Sequence, residues 1–194
     1  MKKLILTLAA FGLSSVAMAG PSWTYADLDY LVGDSMGNNN DVDGFGVRGS
    51  LGFAGIWHAQ LDYFDVDDDP NDSVDGFEFR AGIHPAATDD TDFVLDIGYF
   101  DGTFEESGEP DLDFDGISLR TGVRSNISDN IELRSFISLT YGDVENVDFT
   151  EISYSVGGQY NFNEAWSVGA DAEFNGIEGD LMNLYVRWSF GDLM

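Results

Sequence analysis

A chain of 194 residues suits one all-β barrel or sandwich domain, and 36 acidic against 8 basic residues give it a net charge of −28. Such a surface repels nucleic acid and anionic lipid, while a content of 43% hydrophobic and 14% aromatic residues excludes a disordered acidic tail. The lack of cysteine excludes a disulfide framework and speaks against a lipidated N-terminal cysteine.

The start reads as a secretory signal. Lys2-Lys3 is a short positive region, Leu4 to Val16 is apolar, and Ala17-Met18-Ala19 is an A-x-A cleavage site. Cleavage is expected after residue 19, leaving a barrel domain over 20–194. Both lysines then leave with the leader, so six arginines face all 36 acids, a net charge of −30. No later stretch approaches the roughly 18 consecutive apolar residues of a spanning helix.

From Tyr25 onward the pattern alternates with period two, the mark of half-buried strands. The first strand, Tyr25 to Val32, sets Ala26, Leu28, Tyr30 and Val32 against Asp27 and Asp29. A Gly/Asn/Asp loop follows, and then Asp43-Gly44-Phe45-Gly46-Val47-Arg48-Gly49. This unit recurs as Asp75-Gly76-Phe77-Glu78-Phe79-Arg80 and as Asp115-Gly116-Ile117-Ser118-Leu119-Arg120. Each copy ends a loop at Asp-Gly and begins a strand whose arginine lies on the polar face.

Between and beyond the repeats the spacing predicts strands at 57–64, 93–101, 131–142, 151–162, 166–174 and 184–190, ten in all, with eight as the alternative. Short turns are expected at Ala54-Gly55-Ile56, Pro85 to Thr91, Asn126 to Asn130 and Asn163-Glu164-Ala165. Long acidic loops are expected at Gly33 to Val42, Asp65 to Ser73, Gly102 to Asp113, Asp143 to Val147 and Asn175 to Gly179. Long and short connections in alternation are the pattern of an antiparallel up-and-down transmembrane β-barrel with both termini on one side.

Alternation alone does not separate such a barrel from a soluble one with an apolar interior. Charge placement does. Arg48, Arg80, Arg120, Arg124, Arg134 and Arg187 all have polar-face parity, as do Asp27, Asp29, Asp62, Glu78, Asp96, Glu132, Glu151, Asp171 and Glu173. The long loops hold acids and no base, whereas this face mixes both signs. That is what a confined interior needs, because a buried charge must be paired. The apolar face then meets lipid, where an arginine would cost about 2–4 kcal/mol near the midplane. Aromatics gather at its strand ends. Phe53, Trp57, Phe93, Phe162, Trp166, Trp188 and Phe190 lie near the short turns, and Phe45, Tyr63, Phe77, Tyr99, Tyr141 and Phe174 near the long loops. Two interfacial girdles follow.

With these residues in place the mature chain resembles the small Gram-negative outer-membrane β-barrels of the porin-like superfamily. Asp43 to Ser50 and Tyr160-Asn161-Phe162-Asn163-Glu164-Ala165-Trp166-Ser167-Val168 are similar to the xanthomonad barrel proteins once proposed as secreted quorum-sensing factors. Leu184 to Phe190 resembles the family's C-terminal assembly signal, although Gly191-Asp192-Leu193-Met194 follows it. The resemblance implies residence in the outer membrane, contact with lipid and lipopolysaccharide, and insertion by the barrel-assembly machinery.

Candidate chemistry is sparse. Asp111-Leu112-Asp113-Phe114-Asp115-Gly116 opens like an EF-hand loop, but Gly122 stands where the bidentate acid is due. No metal site or cofactor is therefore expected, and weak Ca²⁺ or Mg²⁺ binding by the acidic loops stays open. His58 and His84 lie beside short turns on the polar face, and no nucleophile or metalloprotease motif accompanies them. No enzyme is expected. For the lumen two readings stand: a closed ionic plug formed by the arginines and carboxylates above, or a narrow pore whose acidic mouth prefers cations. Adhesion through the loops is a third reading, and the oligomeric state is open.

Overall fold

The computed structural model describes residues 21–35, 41–69, 72–105, 108, 110–145, 147–176 and 179–190. The expected leader 1–19, the tail 191–194 and the tips of several expected loops lie outside the described residues.

Among the described residues eleven strands follow in chain order: β1 Tyr25–Ser35, β2 Asp41–Phe53, β3 Trp57–Asp69, β4 Asp72–Ile83, β5 Ala86–Thr88, β6 Thr91–Glu105, β7 Leu112–Ser128, β8 Ile131–Val144, β9 Val147–Asn161, β10 Trp166–Gly176 and β11 Gly179–Ser189. Ten are long. The three-residue β5 pairs only with the start of β6, and β4 pairs directly with β6 beside it. Every long strand runs antiparallel to its neighbours, and β1 pairs with β11 from Tyr25↔Ser189 to Ser35↔Gly179. The fold is an all-β, closed, up-and-down barrel of ten long strands, which leaves no open sheet edge.

The pairing of Tyr25 with Ser189 puts the start and the end of the barrel at one end, together with the short turns. The β2–β3 turn there is a three-residue connection, Ala54-Gly55-Ile56, in which Ala54 and Gly55 both take left-handed conformations, φ 50° and 78°, the positive φ that lets so short a connection follow the twist of its strands. At the other end the strands run farther than the sequence suggests. The region Asp65 to Ser73, expected as a loop, is mostly strand, with β3 reaching Asp69 and β4 starting at Asp72. Likewise β6 reaches Glu105, and β8 and β9 approach within two residues of each other. The acids there do not break the ladder, because a strand tip in water solvates both of its faces. The expected turn Pro85 to Thr91 contains β5, and β7 extends into the expected turn at Asn126.

The membrane-sized part of a strand is set by its side chains. On β7 the outward apolar residues run from Ile117 to Ile127, about 33 Å along the strand at about 3.3 Å per residue. Tilted by about 40°, that is close to the roughly 25 Å apolar band of an outer-membrane barrel. Beyond it Asp115 and Asp113 take over the same exposed face. The EF-hand-like stretch is therefore extended strand, its aspartates facing out and Phe114 facing in. Among the described residues no group of acids and histidines is arranged to hold a metal ion.

Candidate functional site

The lumen is built by the inward residues of ten strands, and it is layered. The layer at the terminal end is a plug made by the segment just before β1. Trp23 is 2% exposed and lies inside the barrel. Its ring stacks on His84 at 4.2 Å and tilts against His58 at 4.3 Å, and its Nε1 donates to Asp92 at 2.7 Å. The Arg124 guanidinium covers the ring at 4.4 Å and is held by both oxygens of Glu132, at 2.8 and 3.0 Å. Arg124 also donates to the Ser22 carbonyl, while Ser50 donates to the Trp23 carbonyl and Gly52 N–H to Thr24 Oγ1. The segment is thus tied to β2, β6 and β7. His58 Nε2 lies 2.7 Å from Asp96 Oδ1. The two histidines form the plug's wall.

The middle layer holds the ionic network. Arg187, fully buried, makes a bidentate pair with Asp27. Arg48 donates to Asp62 at 3.0 Å and stands 3.6 to 3.8 Å from Asp27, Asp29 and Asp171, so it bridges carboxylates of β1, β3 and β10. Arg80 bonds Asp62 at 2.5 Å and also Glu78, which accepts from Ser118. Arg120 donates to Asp96, and Arg134 takes both oxygens of Asp171. Four guanidinium groups also cover rings: Arg187 on Tyr25, Arg124 on Trp23, Arg134 on Tyr185 and Arg120 on Phe136. Pairing and ring contact together make burial of these charges tolerable in a low-dielectric interior.

All the arginines singled out from the sequence therefore meet carboxylates. Asp62, Glu78, Asp96, Glu132 and Asp171 are among the partners. Asp27, Asp29 and Asp92 join them, assembled by register across strands distant in sequence. Glu151 and Glu173 face the lumen too, but among the described residues no ion pair joins either one, which takes both out of the expected network.

The layer toward the loop end corrects the expectation of an interior filled only by polar groups. Phe64, Phe100, Phe114 and Phe149 point inward there, beside Leu31, Val42 and Val66. Each ring lies over a glycine opposite it on the neighbouring strand: Phe64 over Gly76, Phe114 over Gly102, Phe100 over Gly116 and Phe149 over Gly142. A phenyl group covering a glycine on the adjacent strand restores the packing that the glycine lacks. The sequence holds a signal for this collar. Phe100-Asp101-Gly102 and Phe114-Asp115-Gly116 are two copies of one tripeptide, and read antiparallel they put each phenylalanine opposite the other copy's glycine.

Within these layers remains a cavity of about 290 Å³, lined from Trp23 and Tyr25 upward to Phe114 and Glu151. Outside, the barrel is apolar. Leu28, Phe45, Leu61, Ile97, Ile117 and Ile137 are each at least half exposed. The expected girdles also point outward. Phe53, Trp57, Phe93, Phe162 and Trp166 are exposed at the terminal end, with Trp188 half-buried, and Phe45, Tyr63, Phe77, Tyr99, Tyr141 and Phe174 are exposed at the loop end.

No protein-family profile matches the sequence, and no curated protein does either. Solved structures similar to this chain include the KdgM porin, 12% identical with a TM-score of 0.45, the match covering 84% of this chain and 99% of that one. The Yersinia pestis outer membrane protein Ail, in a phospholipid nanodisc, is 14% identical with a TM-score of 0.44, over 88% of this chain and 100% of that one. The translocator domain of the autotransporter NalP from Neisseria meningitidis is 11% identical with a TM-score of 0.42, over 86% and 88%.

Proposed function

We propose that this chain is an integral outer-membrane β-barrel of a Gram-negative bacterium with a closed, charge-paired lumen, acting at the cell surface by structure and contact rather than by catalysis or bulk solute flow. One observation carries the reading: the barrel is inverted relative to a soluble one. Arg187, Asp27, Asp96 and Glu132 are buried inside, while aliphatic side chains such as Leu28, 61% exposed, and Ile97, 60% exposed, cover the outside. In water a continuous apolar belt of this kind drives aggregation. In lipid it is solvated, and an uncovered barrel edge is absent.

The even number of long strands and the shared end of the termini support a periplasmic Trp23 end and external acidic strand tips. The export signal at 1–19 belongs to this reading. So do lipid and lipopolysaccharide as neighbours and the assembly machinery as a transient partner. The packed floor around Trp23 supports a closed lumen. Planar-bilayer recording on the refolded barrel tests it: a silent barrel is expected, and stepwise current would remove the closed-lumen reading.

A narrow cation-preferring pore is the second reading. It is favoured by the remaining cavity and by the acids at the outer end, and cation-selective steps would establish it. Acidic strand tips also suit divalent cations shared with lipopolysaccharide phosphates. A melting temperature lowered by chelator would support that, and an unchanged one would end it.

A further inference from the structure

The lumen cavity has two unlike sides. Phe64, Phe100, Phe114 and Phe136 line it from β3, β6, β7 and β8. From β8, β9 and β10 come Ser138, Thr140, Ser153 and Ser155 with Glu151 and Glu173. A phenyl surface and a hydroxyl–carboxylate surface thus share about 290 Å³, near the lower limit of about 300 Å³ for small-molecule pockets.

The charge left unpaired in this space is of one sign. Arg48, Arg80, Arg120 and Arg134 line it, and each is already held by carboxylates. The lining nitrogens without a hydrogen-bond partner, Arg80 Nε and Arg124 Nη1, belong to guanidinium groups whose charge is thereby met. Glu151 Oε1 is buried without a hydrogen-bond partner, and no cation pairs with Glu151 or Glu173 among the described residues. Asn183, only 6% exposed, also lines the cavity. Its Nδ2 donates to Asp29 at 2.6 Å, which fixes the amide orientation and leaves Oδ1 as an acceptor with no donor. What the cavity lacks is therefore a positively charged hydrogen-bond donor.

We propose that the cavity is a blind pocket, entered from outside, for a small organic monocation: a primary ammonium joined to an aromatic or hydrocarbon group. The ammonium donates to Glu151, Glu173 and the neighbouring hydroxyls through charge-assisted hydrogen bonds. The apolar part lies on the phenyl side, where ring faces also attract cations. A bare metal ion fits less well, because among the described residues no three His, Asp or Glu side chains converge. The pocket rests on the closed-lumen reading only for its floor at Trp23.

The test uses the full barrel refolded into zwitterionic nanodiscs. Isothermal titration compares three probes of one shape: 2-phenylethylammonium, 2-phenylethanol and phenylacetate. Saturable binding of the ammonium is expected, with the alcohol and the carboxylate at least about tenfold weaker. The double variant Glu151→Gln/Glu173→Gln, checked for folding by heat-modifiable gel mobility, is expected to lose at least about tenfold in affinity for the ammonium. No saturable ammonium binding, equal affinity for all three probes, or an undiminished folded double variant would each overturn the proposal. Bilayer recording on the same sample separates the two readings. Current with retained ammonium selectivity removes the closed lumen and keeps the site, whereas a silent barrel without binding removes the site alone.

Discussion

The Arg187 guanidinium lies 3.4 Å above the ring of Tyr25 while its Nε and Nη2 donate to Asp27 at 2.8 and 2.7 Å. Tyr25 and Asp27 are two apart on β1 and so face the same side, and register puts Asp27 opposite Arg187 on β11. The contact therefore locks the first strand to the last, across the seam that closes the barrel. Arg187→Ala leaves Asp27 buried without its bidentate partner and is expected to cost about 3–5 kcal/mol. Urea titration of the barrel in lipid vesicles measures this. Asp27→Asn combined with Arg187→Met is expected to lose less than the two single changes summed, because the pair acts as a unit. An Arg187→Ala barrel within about 1 kcal/mol of the parent would show that the seam does not depend on the pair.

Trp23 is the packing centre of the terminal-end floor, with Arg124 on its ring and His58 and His84 against it. Trp23→Ala is expected to cost about 3–5 kcal/mol, as large aromatic truncations in packed sites do. It is also expected to open the lumen cavity at the terminal end of the barrel. Bilayer recording on this variant should then show small steps where the parent shows none, and Trp23→Phe should stay silent. Silence from a folded Trp23→Ala barrel would place the seal elsewhere.

The faces of the barrel were legible because side-chain period is two and a one-residue slip would move every inward charge to the apolar outer face. Parity alone assigned Arg48, Arg80 and Arg120 to the interior. It could not choose their partners, since that depends on turn lengths and stagger. Arg48 reaches Asp171 on β10, 123 positions away in the chain by their numbers, and nothing local to either residue signals that contact. Glu151 and Glu173 have the same parity as the paired acids, yet both sit where no arginine reaches. Trp23 precedes the first alternating residue, so periodicity is silent about it. The phenyl collar was hidden for a different reason. Phe100 and Phe114 stand in acidic stretches with polar-face parity, and a pattern that equates inward with polar discards them.

The collar is sensitive to volume at its glycines. A Cβ on Gly142 would stand 2.8 Å from Phe149 Cζ and 2.5 Å from the Asp115 carbonyl oxygen, whereas one on Gly49 would meet nothing within 4 Å. Gly142→Ala is expected to destabilise by about 1–3 kcal/mol through overpacking against backbone. Gly49→Ala should be neutral or stabilise by about 0.5 kcal/mol, because it restricts the unfolded chain. Urea midpoints of the two variants decide the matter, and the reverse order would mean that the rings do not rest on the glycines.

On the outer-membrane reading, the level at which the outer face leaves lipid can be read on β7 from two substitutions. Leu119 stands between Ile97 on β6 and Leu139 on β8, all three exposed. Asp115 is four residues nearer the loop end on the same face, between Asp101 and Asp143. Like charges directly opposite each other destabilise a sheet by a fraction of a kcal/mol per pair. Leu119→Arg is expected to cost about 1–2 kcal/mol in vesicles, less than the penalty of a cation at the bilayer midplane because Leu119 lies toward the loop end of the apolar belt. Asp115→Arg, by contrast, turns two repulsions into attractions and is expected to gain about 0.5–1 kcal/mol. That gain should shrink as salt rises, since exposed charges are screened over about 10 Å at 0.1 M. Opposite signs for one residue type on one strand face put the water boundary between Leu119 and Asp115. If Leu119→Arg were neutral, the apolar belt would be facing water or protein, and the outer-membrane reading would fail with it.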